Sequence, residues 1–476
     1  MKRKDLQHLK IDSTLFETPS DSTVTTTVEG IAIQKQYSEE AIKALEDIDF
    51  AAGFAPFIRG ISPMMYVQHP WQMNQVPQNT SLEKANQVYR NQVQQGQKEI
   101  TLIAHTTPST EIEKTQPSLH SIDDMKVLLA QLPLDELAVA LYSGGSIVPL
   151  LACYLAAAEE LGFEGQRLSG HLHSDLLSPI LSTKGTFSLE KANKVALDTL
   201  SYLHQHHPNF NGVSLSNTAL KTCNLTADQE LAYSLMLGID LLQQAGKQNI
   251  PLDYIATHLS YTWALGSNHF IEIAKMRAAR GVWSTLLQPF NLKDEQASAL
   301  SIRAQTSVLH PEFTGSMDSL GQTTVQATAA IFGGTQALHL QLPPTASTQL
   351  TAGQMQRFLV EEIKSCKTID PWAGSYFIEK TTLDIAEKTI NLIQTIANQG
   401  GIQPVLTALL QSQHKGSKSE ATETKTTQLN PRKAVEDALA KLSHSVQTQG
   451  KNVLALAIEA AKARATLEEI HQAIVN

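Results

Sequence analysis

Cysteine is scarce, with three in 476 residues: Cys153, Cys223 and Cys366. None sits in a CxxC pair, so neither a disulfide framework nor a zinc ribbon can be built from them. An excess of positive charge is also missing. Lys plus Arg is 37 against 46 Asp plus Glu, a net charge of −9, whereas a nucleic-acid-binding surface needs a basic stripe to displace counterions. Long apolar runs are absent too. The longest, Ile147–Ala158, has twelve residues against the ~20 of a membrane span. The opening MKRKDLQHLKIDS is charged with no apolar stretch behind it, so no secretory leader is read there and a cytoplasmic setting is expected. What remains is an ordinary globular balance, 42% hydrophobic and 17% charged.

From about residue 99, short β-rich runs alternate with longer amphipathic stretches. EITLIAHT (99–106), ELAVALYS (136–143), QRLSGHLHS (166–174), GVSLSNT (212–218), DYIATHLSY (253–261), ALSIRAQTS (299–307) and ALHLQL (337–342) read as strands. Helical periodicity covers 148–161, 189–204, 227–244, 268–287 and 323–331. Such alternation implies parallel strands with helical crossovers. Seven or eight units over roughly 250 residues suit a (β/α)8 TIM barrel better than an open doubly wound sheet, the structural alternative. The expected division is an N-terminal arm and subunit-pairing segment at 1–95, a barrel at 96–345, helices completing it at 346–410, and a polar linker with a C-terminal helical extension at 411–476. Within the arm, Phe16, Ile31, Ile33, Tyr37, Ile42 and Leu45 are spaced like anchors along a wrapping segment.

Barrel chemistry sits after the C-terminal ends of the strands. Those ends read Tyr142–Ser146, His171–Asp175, Ser216–Ala219, His258–Tyr261, Arg303–Ser307 and His339–Gln341. Asp175 is their only acid, so a two-carboxylate acid/base pair is not available. His171 and His173 stand two apart on a strand and share a face, which allows a metal pair with help from His258 or His339. The commoner reading is polar lining of a filled barrel mouth. His204, His206 and His207 close a helix, where cations complement its dipole. Gly333-Gly334-Thr335 fits a tight turn better than a phosphate cradle.

Longer phrases carry a resemblance. GFAPFIRGISPMMYVQHPW (53–71), WALGSNHFIEIAKMRAARGVW (263–283), IFGGTQALH (331–339), TIDPWAGSYFIE (368–379) and NVLALAIEAAKARATLEEI (452–470) resemble, in order, the acyl-CoA-binding chains of the methylmalonyl-CoA mutase family. The resemblance spans about Ser38 to Ile474. It implies a (β/α)8 barrel with an arm used in subunit pairing.

The same comparison exposes departures. Active chains read GPYxTMYxxRPWTIRQYAGF; here its cobalt-facing tyrosine falls at Val76, its two arginines at His69 and Asn74, and the tyrosine after Gly-Pro at Ser62. In SGYHMQEAG the thioester-binding histidine becomes Ala219 and the tyrosine Thr218. In SGTIQND the glutamine becomes His173 and the asparagine Ser174. RTHSQTSG becomes Ser301-Ile-Arg303-Ala-Gln305-Thr-Ser307. The rearrangement needs a dry pocket and donors for the thioester and carboxylate. With every group of that cooperative set replaced, no catalytic residue is assigned to this chain. No Asp-x-His-x-x-Gly phrase follows the barrel, so no cobalamin-binding domain, cofactor site or metal site is expected here either. The resemblance implies a small, non-catalytic subunit, heterodimeric with a catalytic large subunit that holds adenosylcobalamin. Two alternatives stand beside it: a catalytic chain with a separately encoded cobalamin subunit, and a metal-dependent barrel enzyme using His171 and His173.

Overall fold

The computed structural model describes residues 25–43, 50–73, 77, 80–104, 117–143, 146–173, 179–180, 187–216, 220, 223, 225–307, 316–341, 352–414, 432–448 and 450–476. Beyond a two-residue pairing of Thr25–Thr26 with Ala32–Ile33, its strands are β1 (Gln72–Met73), β2 (Glu99–Ala104), β3 (Ala138–Ser143), β4 (Ser169–His173), β5 (Phe210–Asn211), β6 (Ser214–Ser216), β7 (Ser260–Ala264), β8 (Ser301–Gln305) and β9 (Ala337–His339). They form two parallel sheets, ordered β2-β3-β4-β5 and β1-β9-β8-β7-β6. Strands β5 and β6 are separated only by Gly212 and Val213, and each pairs with a different sheet. This is an α/β fold of parallel strands joined by helical crossovers.

Helices cover the outer faces. Val148–Glu160 has eleven buried residues of thirteen, with Pro149 in its first turn. A helix apolar on every side needs cover on every side, and the helices Ile122–Leu129, Val453–Lys462 and Leu467–Val475 pack against it. Capping boxes at Ser121/Asp124, Thr226/Gln229 and Thr466/Glu469 start three of the helices by satisfying their first free N–H groups. The helix Tyr376–Asn398 lies along both His269–Leu287 and Ala227–Lys247. No helix of the described residues is long and apolar enough to cross a membrane.

Several expectations shift in detail. DYIATHLSY is largely helical, Leu252–Thr257, and the strand begins only at Ser260. Pro251 explains the difference, because it opens a helical turn whose last turn His258 closes. His258 therefore precedes its strand instead of following it. Gln72–Met73, inside the segment expected as arm, is the first parallel strand and pairs with β9. A helix at Leu82–Gln94, capped by Ser81, lies in the segment read as arm. The helix read at 323–331 runs from Ser316 to Phe332. Among the expected anchors, Ile31 and Ile42 are buried within this chain and Tyr37 packs on Phe377 at 5.2 Å between ring centroids. Phe16 and Leu45 lie outside the described residues.

Candidate functional site

The side chains that β1, β2, β3, β4, β8 and β9 turn toward one another form a polar cluster. Arg303 of β8 is buried, and its Nη1 donates to His173 Nε2 of β4 at 2.8 Å and to Gln72 Oε1 of β1 at 3.3 Å. An arginine has only donors, so His173 Nε2 must accept and its proton sits on Nδ1. Gln72, having accepted through Oε1, donates through Nε2 to His171 Nε2 at 2.8 Å. His171 is thereby held neutral as well. Burial, then the charge of Arg303, pulls its pKa down to about 3, and the same two causes lead at His173, held well below the usual imidazole range. The Tyr142 ring stacks on His173 at 3.6 Å, 7° from parallel, and lies 5.7 Å from the His339 ring. Burial pushes the Tyr142 hydroxyl well above the usual phenol range.

Glu99, at the start of β2, stands 3.5 Å from His171 Nε2. Burial pushes its pKa up to about 7, with Arg303 opposing. The folded chain therefore retains a proton that the unfolded chain releases near pH 4.5. Stability from this group is complete below that pH and is lost as pH rises through 7. Glu99→Gln keeps the neutral form throughout. It should raise the unfolding free energy at pH 8 by about 3 kcal/mol, at 1.36 kcal/mol per unit, with the gain vanishing toward pH 4.5. Urea denaturation of both proteins at the two pH values measures it.

A second cluster is ionic and lies on the helical side. Arg277 pairs with Asp370 and with Glu379 at 2.9 Å, and Arg59 pairs with Asp370 at 3.1 Å and Glu379 at 2.5 Å. All four side chains are at most 7% exposed. Glu379 also accepts from Gly374 N at 2.8 Å. Burial raises its pKa, but Arg277, the Gly374 N–H and Arg59 together hold it below the usual carboxylate range. Arg280 donates only to backbone: Phe57 O and Ile58 O at 2.9 Å and Gly333 O at 2.8 Å. Lys275 sits between Glu272 at 2.6 Å and Glu230 at 2.9 Å.

The family model for methylmalonyl-CoA mutase matches residues 26–430. The chain is 30% identical to the methylmalonyl-CoA mutase large subunit of Porphyromonas gingivalis over 94% of its own length and 71% of that protein's. It is 31% identical to the large subunit of Streptomyces virginiae, covering 83% of this chain and 55% of the relative. The methylmalonyl-CoA mutase of Escherichia coli is 30% identical over 91% of this chain and 60% of its own. The chain belongs to the methylmalonyl-CoA mutase family.

Most of the family phrases that persist meet in and around the ionic cluster: Arg59, Glu272 to Arg280, Gly333-Gly334 and Asp370 to Glu379. They tie the segment before β1 to two outer helices, a packing duty. Gly334 has φ +83° and an added Cβ would sit 3.1 Å from Arg280, so Gly333-Gly334 is a turn pressed against a guanidinium. Of the mutase positions that depart from active chains, Val76, Ala219, Asn74, Thr218 and Ser174 lie outside the described residues, as does Asp175. Ser62 and His69 are exposed, and Ser62 Oγ accepts from Met65 N. His171 and His173 do face the same interior. Their lone pairs, however, are taken by Gln72 and Arg303, and among the described residues no three His, Cys, Asp or Glu side chains form a metal-binding group. His207 Nδ1 donates to Gly165 O at 2.9 Å, a structural bond at the helix end. Sequence reasoning missed Glu99 and Gln72, which open their strands. The period-two pattern of β2, with Glu99, Thr101 and Ile103 on one face, was the available signal.

Proposed function

We propose that this chain is the small, non-catalytic subunit of a methylmalonyl-CoA mutase, a cytoplasmic enzyme interconverting methylmalonyl-CoA and succinyl-CoA. In this reading the two sheets close into a (β/α)8 barrel. Contacts across them, from Gln72 to His171, Arg303 to His173 and Tyr142 to His339, support that closure. The large subunit of the heterodimer supplies the reacting groups and holds adenosylcobalamin. The observation that carries the reading is the state of His173. At a family glutamine position, its Nε2 is taken by Arg303 and its face is covered by Tyr142, so the ring is fixed by its neighbours rather than presented to an acyl group. Buried side chains held in this way do not fit a corrin ring, and this reading routes no step through cobalamin on this chain.

The relatives at hand are named large subunit or plain mutase, which keeps a catalytic chain with a separate cobalamin subunit as the second reading. One experiment separates the two. The purified chain, given adenosylcobalamin and methylmalonyl-CoA, should form no succinyl-CoA. Co-expressed with a longer family chain that carries the tyrosine and the cobalamin phrase, it should co-purify and the pair should turn over. Turnover by the isolated chain overturns the non-catalytic role; failure to co-purify overturns the subunit role. Val76→Tyr should still leave the isolated chain inactive, because groups that act as a unit restore little when returned singly.

A further inference from the structure

We propose that the segment leading into β1 is a self-association face, covered in solution by a second copy of this chain across a two-fold axis. The inference needs no large subunit and stands or falls apart from the subunit role. It starts from a gap in the charge pattern. Although 17% of the chain is charged, Arg59 is the only Asp, Glu, Lys or Arg in residues 50–82. Arg59 is buried and paired with Asp370 and Glu379, so the stretch offers its surroundings no formal charge. What it exposes instead is apolar: Phe54 is 60% exposed, Met64 47% and Val67 43%. The fold keeps these three close. The Gly53 backbone lies against Pro63, where an added Cβ would sit 2.5 Å from the ring, and Val67 N donates to Met64 O one turn away. Arg280 fixes the platform by donating to Phe57 O and Ile58 O. The segment lies at the end of the sheets where strands begin, since Tyr66 donates to Thr335 O just before β9 and Trp71 directly precedes β1.

Exposed apolar surface of this kind marks contact with another protein or with a membrane. Membrane-surface binding draws on Lys and Arg beside the apolar face, and this stretch presents neither. The choice of a second copy rests on the rim. The run 361–367 adjoins the platform, because Ser365 and Thr368 line a cavity of about 20 Å3 together with Met65 and Tyr66. Around Ile363, itself 44% exposed, that run exposes two acids and two bases, Glu361, Glu362, Lys364 and Lys367. None of the four is in an ion pair among the described residues. A two-fold axis brings one patch against itself. Apolar centre then meets apolar centre, and the acids of each rim meet the bases of the other. A charge-depleted centre inside a polar rim is the usual composition of a protein interface. Two chains of net charge −9 repel one another over the rest of their surfaces, which favours contact through a stretch without charge.

The test uses the full chain. Sedimentation velocity over about 1–100 µM should show a monomer–dimer equilibrium that moves toward dimer with concentration, as mass action requires. Met64→Lys with Val67→Lys sets like charges against each other across the axis and should raise the dissociation constant by about tenfold or more. Both positions are exposed, so the circular dichroism spectrum should stay native. Val127→Lys, at an exposed site on Ile122–Leu129, should leave the equilibrium where it was. A second pair of variants tests the rim. Lys364→Glu with Lys367→Glu makes it wholly acidic and should weaken self-association; mixing that chain with one carrying Glu361→Lys and Glu362→Lys should restore a mixed dimer. A wild-type chain that stays monomeric throughout overturns the proposal, even if the face then takes up a longer family chain. Undiminished self-association of the folded Met64→Lys, Val67→Lys chain overturns it too, and so does a mixture of the two rim variants that forms no mixed dimer.

Discussion

Alanine at position 277 should lower the unfolding free energy by about 3–5 kcal/mol, the range for removing one partner of a buried pair. Against a total of about 5–15 kcal/mol for a typical fold, much of the chain would be unfolded at 37 °C. The size follows from what stays behind. Asp370 and Glu379 remain buried with Arg59 as their one cation among the described residues, and the Tyr376–Asn398 helix loses its ionic tie to His269–Leu287. Lysine should rescue little, because a point charge cannot span two carboxylates as a planar fork does. Lys462→Ala is the control: its pair with Glu159 is 40% and 65% exposed, and exposed pairs contribute about 0–1 kcal/mol. Guanidinium denaturation of the three variants ranks them. A loss near 1 kcal/mol for Arg277→Ala would mean that water enters the cluster and that the persistent family phrases are not a keystone of packing.

That cluster shows where a sequence speaks and where it does not. The alternation of β-rich and helical stretches is a local signal, and it placed six of the parallel strands and most crossover helices. It failed where tertiary pairing overrides local chemistry. Gln72–Met73 is two residues among prolines and amides, and only its ladder with Ala337–Leu338 makes it a strand. DYIATHLSY has strand composition, but Pro251 starts a helix. The ionic cluster was visible as words without a meaning: Arg59, Arg277 and Asp370 lie 218 and 93 positions apart in succession, and no periodicity links them. The interior cluster was half legible. Period two put His171 and His173 on one face, but whether those imidazoles would meet a metal, water or a guanidinium depends on strands 99 and 130 positions away. Val76 and Ala219, on which the functional reading by resemblance turned, lie outside the described residues, so His173 and its neighbours carry the structural side of that reading.

Gly170→Val should cost about 3 kcal/mol or more, at the upper end for forcing bulk into a packed site. Gly170 is the second residue of β4, paired with Val139 of β3 on one side and Phe210 of β5 on the other. A Cβ there would lie 2.1 Å from the Val139 carbonyl oxygen and 2.8 Å from the Phe210 ring. Glycine inside a strand commonly marks such a close approach of neighbouring backbone. The two obstacles differ in kind. The Phe210 ring is fully buried and meets Tyr154 edge-on at 5.9 Å, but a smaller side chain could remove it. The Val139 oxygen belongs to the β3 backbone and moves only if the β3–β4 ladder opens. Phe210→Leu should therefore recover little of the loss in the double variant, and hydrogen exchange should report faster opening across Ala138–Ser143 and Ser169–His173 than elsewhere. Full recovery in the double variant would place the obstruction in the ring. A single-variant cost under about 1 kcal/mol, within the range of tolerated core swaps, would show that β3 and β4 separate easily at the strands that hold Tyr142 and His173.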